Sequence, residues 1–155
     1  MFDPTIFDNL KVILEGAVYD LDLAGMLSVT GRQDLVDLSS MSRTYVLRIG
    51  LRDGDGSSPS PQAELQLETG LRDLAGELLS LEDHQPGCSL RLWFEIRLAD
   101  GSSYQDVCSE LERLLHEVWG NRYGVRHHLS FEPGQEEQGA ILRTEIVFGR
   151  RFDEM

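Results

Sequence analysis

Residues 88–98 alternate without a break: Cys88, Leu90, Leu92, Phe94, Ile96 and Leu98 on one parity, Ser89, Arg91, Trp93, Glu95 and Arg97 on the other. Successive side chains of an extended chain point to opposite sides, so this run predicts a strand with one apolar face and one wet face. The same period of two recurs where Tyr45, Leu47, Ile49 and Leu51 alternate with Thr44, Val46, Arg48, Gly50 and Arg52, and where Ala63, Leu65 and Leu67 alternate with Glu64, Gln66 and Glu68. Two further strands are predicted over Val125 to Glu132 and Ala140 to Gly149. None of these strands is apolar throughout, which argues against a doubly wound parallel sheet buried on both sides.

Something must cover the apolar face, and three amphipathic helices are available. Asp3 and Pro4 stand at the N-cap and first helical positions ahead of Ile6, Phe7, Leu10, Ile13, Leu14 and Ala17. Thr69 is placed to cap a second helix carrying Leu71, Leu74, Ala75 and Leu78. Ser102 and Gln105 have capping-box spacing before the stripe Tyr104, Val107, Cys108, Leu111, Leu114, Leu115 and Val118, and Gly120 stops that third helix. Residues 18–41 are ambiguous. Tyr19, Leu21 and Leu23 alternate with Asp20 and Asp22 like a strand, Ala24-Gly25 reads as a turn with Met26 to Thr30 returning, and Gln33 to Met41 fits a short helical turn or an edge strand.

The expected fold is therefore α+β, a two-layer sandwich in which an antiparallel or mixed sheet of about five to seven strands has one face covered by three amphipathic helices. With no repeat and no linker, residues 1–155 read as a single globular domain, and residues 150–155 as a frayed tail.

Charge narrows the partners. Against 27 acidic residues stand 14 basic ones, a formal net charge of -13, with no basic run to offset it. A phosphate backbone is bound by clustered Lys and Arg, so neither nucleic acid nor an anionic membrane is expected as a partner. Cys88 and Cys108 follow no metal spacing and fall on apolar faces, as inert thiols do. With no secretory leader pattern and no apolar run of spanning length, a cytoplasmic location is expected.

Three constellations bear on chemistry. Asp53, Asp55, Ser57 and Glu64 occupy positions 1, 3, 5 and 12 of a calcium loop, but Ser58 stands where that loop needs Gly and the flanks read as strands. A solvated hairpin loop accounts for them better, leaving Asp53, Asp55 and Glu64 as the carboxylates of an alternative, metal-responsive protein. His127 and His128 are adjacent in a strand and point to opposite faces. His127 falls on the apolar side near a helix, as a hydrogen-bonded core histidine or as the catalytic group of a small enzyme or ligand-binding protein with a pocket between sheet and helices. Nucleophile elbow, phosphate-cradling loop, dinucleotide fingerprint and zinc-protease motifs are all absent, so a non-enzymatic role without a cofactor is favoured.

The wet face of the sheet remains. Val46, Arg48, Arg91, Trp93, Glu95, Arg97, Arg143 and Val147 share it, and Trp and Arg are the residue types that anchor interfaces. The sequence thus points to an interaction or adaptor protein that uses this face to bind a second copy or another protein.

Overall fold

The computed structural model describes residues 5–52, 60–80, 82, 85, 87–135 and 139–153. Three helices, α1 (Thr5–Leu23), α2 (Leu71–Leu79) and α3 (Tyr104–Trp119), accompany strands β1 (Leu27–Asp37), β2 (Ser42–Leu51), β3 (Gln62–Thr69), β4 (Ser89–Arg97), β5 (Tyr123–Ser130) and β6 (Ile141–Phe148). The strands form one sheet in the order β1-β2-β3-β4-β6-β5, with every neighbouring pair antiparallel. This is the expected α+β arrangement, with the helices on one side.

The expected strand at Tyr19 to Leu23 is instead the last turn of α1. Its end is a Schellman cap: the Met26 N–H bonds the Leu21 carbonyl at 3.0 Å, the Gly25 N–H bonds Asp22 at 2.9 Å, and Gly25 adopts φ +77. The Ala24-Gly25 pair, read as a hairpin turn, is thus a helix stop. At the other end, the Asp3-Pro4 start lies outside the described residues.

Residues 27–37 are all strand, with a bulge where the pairing slips between Val29 and Gly31. The extra residue reverses the parity of everything after it. Before the bulge, Leu27 and Val29 join the core under α1. After it, Arg32 and Asp34 turn toward the helix, where Arg32 pairs with Glu15 at 2.7 Å and Asp34 pairs with Lys11.

Two packed halves share the sheet. Phe7 and Val18 of α1 sit on Leu27, Tyr45, Leu47 and Leu67, with Cys88 beside them. Leu115 of α3 packs on Leu92 and Ile146, while Val107 and Cys108 pack on Leu98 and Leu142. Fully burying a side chain such as Phe7 or Ile146 stabilises the fold by about 1.5–3 kcal/mol.

Two caps shift by one residue from expectation. Thr69 stays in β3, 2% exposed, and Gly70 caps α2, its N–H bonded to the Asp73 carboxylate at 2.9 Å. Ser103 rather than Ser102 caps α3, accepting from the Asp106 N–H. The tail is also tied down as far as Phe152, which exchanges two 2.8 Å backbone bonds with Cys88, while Arg151 donates to the Gly87 carbonyl and pairs with Asp73. Gly87 is needed there, since a Cβ would lie 2.5 Å from the Phe152 carbonyl oxygen. Among the described residues, no helix is long and apolar enough to cross a membrane.

Candidate functional site

Strand register places the expected face residues in rows across the sheet. One row runs Arg48, Glu64, Trp93, Glu145, Arg126 from β2 to β5. Beside it run Val46, Gln66, Arg91, Val147 on one side and Gln62, Glu95, Arg143, His128 on the other. Arg97 stands one step further out, opposite Ile141. All eight positions named from the sequence, Val46, Arg48, Arg91, Trp93, Glu95, Arg97, Arg143 and Val147, therefore share the face opposite the helices. Arg52 leaves it, bonding Asp22 at the end of α1 at 2.6 Å.

Trp93 is the centre of this surface. The Arg143 guanidinium lies 4.3 Å over its ring, and the His128 ring is 6.0 Å away. On one side Glu64 accepts from Arg48 at 2.7 Å and from Gln66 at 2.6 Å. On the other, Glu145 is within 3.3 Å of Arg91, 3.8 Å of Arg126 and 4.0 Å of His128. Among the described residues no helix covers this face, yet Glu145 is only 8% exposed and Val46 only 4%. Long neighbouring side chains roof them instead. Arg48, Glu64, Trp93 and Arg143 border a depression of about 80 Å³. The Trp93 Nε1–H is shut off from solvent and has no hydrogen-bond acceptor among the described residues. Leaving such a donor unmet costs about 1–3 kcal/mol.

His127 lies on the helix side, as its parity required, and the structure supplies the missing carboxylate. One ring nitrogen is 2.7 Å from Glu112 of α3 and the other is 2.8 Å from the Thr144 hydroxyl. Thr144 is 0% exposed, so that hydroxyl is closed to any substrate. The trio acts as a strut between α3 and the β5 edge. A sequence signal for Glu112 exists only in hindsight, because helix and strand contacts are set by packing and not by spacing.

Of the calcium-like set, Asp53 and Asp55 lie outside the described residues, and Glu64 is engaged by Arg48 and Gln66. Among the described residues, no group of three or more His, Cys, Asp or Glu side chains is placed to hold a metal ion. Both cysteines are free. Burial pushes the Cys88 thiol up to about 12 and raises that of Cys108, so neither is an activated nucleophile.

Comparison with known proteins adds no identification: no family model, curated protein or solved structure matches the chain.

Proposed function

We propose that the protein is a non-enzymatic interaction or adaptor protein of the cytosol that associates with a second copy of itself through the outer face of the sheet. The observation that carries this reading is the Trp93–Arg143 stack at the centre of a face whose charge differs from that of the rest of the molecule. Five arginines (48, 91, 97, 126, 143) balance five acids (Asp37, Glu64, Glu68, Glu95, Glu145) at its outward positions, a neutral face on a chain of net charge -13. A neutral face lets two copies of an acidic chain meet with less repulsion than their net charge implies. Two free cysteines suit a reducing compartment.

The face is also self-complementary. A two-fold axis along the β3–β4 seam sets β2 of one copy against β6 of the other. Row by row it then brings Val46 to the partner's Val147, Arg48 to the partner's Glu145, and Trp93 to the partner's Glu64. Such an isologous contact repeats each of these pairs twice and offers Trp93 Nε1 an acceptor once the covering side chains rearrange.

Sedimentation velocity of wild type and Trp93→Ala tests this. Wild type should sediment as a dimer at micromolar concentration, and Trp93→Ala should weaken association by about thirtyfold, the scale of a hot-spot truncation. A wild type that stays monomeric overturns the reading.

A further inference from the structure

A second concave feature lies away from the outer face, where β4 hands the chain to α3. Leu98 donates to the Ala140 carbonyl at 2.8 Å, tying this exit to the chain entering β6. Gly101 and Gly139 turn the two banks with φ of +76 and +79. Between the banks opens a cleft of about 710 Å³, within the roughly 300–1,000 Å³ range of small-molecule sites. Its floor is apolar: Leu98 and Ala140 are 8% and 9% exposed.

The walls are what call for a ligand. Tyr104, Leu129 and Phe131 expose 46%, 37% and 49% of their surface, and all three line this one cleft. Apolar side chains left exposed singly are ordinary, whereas their convergence on a concavity marks a binding surface. The single charged residue of the lining is Asp100, which makes no ion pair or hydrogen bond with any described residue.

Aromatic faces attract cations, an unpaired carboxylate attracts an ammonium group, and a net charge of -13 enriches cations around the whole molecule. The N-terminus of α3 pulls the other way, since helix starts favour anions. That end already holds the Ser103 cap and carries Asp106 in its first turn, which offset it. We propose that this cleft binds a small aromatic amine in its cationic form, the ring held among Tyr104, Leu129 and Phe131 and the ammonium group paired with Asp100.

Three ligands with one indole ring and different charge test this: tryptamine, the neutral alcohol tryptophol, and indole-3-acetate. Binding is followed by amide resonances of ¹⁵N-labelled protein. Tryptamine should shift residues 98–104, 129–131 and 139–140 saturably and bind about fivefold more tightly than tryptophol, with indole-3-acetate weakest. Asp100→Asn should erase the preference for tryptamine over tryptophol, and Phe131→Ala should weaken both. These side chains are exposed, so an unchanged melting temperature shows that each variant is folded. Four results overturn the proposal: no saturation by about 10 mM tryptamine, shifts confined to other surfaces, a preference that survives Asp100→Asn, or tightest binding by indole-3-acetate.

Discussion

Trp119 and Trp93 occupy opposite faces of the same sheet. Trp119 closes α3 with its ring edge-on to Phe148 at 5.2 Å and to Tyr123 at 6.3 Å, inside an apolar cluster with Leu92, Leu115 and Ile146. Trp93 has Glu64 and Glu145 as its cross-strand neighbours, Arg143 over its ring, and an indole donor without an acceptor among the described residues. One ring is satisfied by packing and the other is held among charges. The covered face is thus stabilised by burial, which is worth kcal/mol per side chain, and the outer face by cross-strand pairs worth about 0.2–1 kcal/mol each. Energy not committed to the fold is what a contact surface can commit to a partner.

The sharpest way to separate the faces is to truncate neighbouring residues of β6 that point to opposite sides. Ile146→Ala empties a fully buried position under α3 and should lower the free energy of unfolding in urea by about 2–5 kcal/mol. Glu145→Gln on the outer face removes the charge facing Arg91, Arg126 and His128, each itself partly in water. A smaller loss of about 1–2 kcal/mol is expected there. Equal losses would break the distinction.

Acid probes the margin of the covered face. The Arg43 hydrogen bonds hold the Asp34 carboxyl below its ordinary value, against the opposing effect of partial burial, and Lys11 lowers it further. A carboxyl depressed in the folded state contributes stability above its unfolded value of 3.8, and that contribution disappears as pH falls through the lower folded value. Asp34→Asn should therefore have a lower urea midpoint than wild type at neutral pH, and the gap should close below about pH 4. A gap unchanged at low pH would show that α1 is held over β1 without this ion pair.

The sheet was legible because its alternation is physical and local. Residues 88–98 alternate because one side of β4 meets α3 and the core while the other meets solvent, and that parity alone placed Trp93 and Arg91 opposite the helices. Residues 18–41 resisted for two reasons that also lie in the chain. Tyr19, Leu21 and Leu23 are all exposed on α1, so their alternation reports no buried face, and the bulge after Val29 inverts the pattern halfway along β1. Of the candidate sites, the shared face followed from parity, whereas the Glu112 partner of His127 and the cleft around Asp100 depend on how α3 settles against β5, which no spacing encodes.

Nuclear magnetic resonance of the two indole N–H groups tests most directly whether the outer face is where copies meet. The protein, labelled with ¹⁵N, would be diluted from high to low micromolar concentration. If the outer face is the self-association surface, the Trp93 resonance moves with concentration as its donor gains and loses an acceptor, while that of Trp119, partly buried at the end of α3 on the opposite side of the sheet, stays fixed. A Trp93 resonance that holds its position across the series, or a shift confined to Trp119, would contradict it.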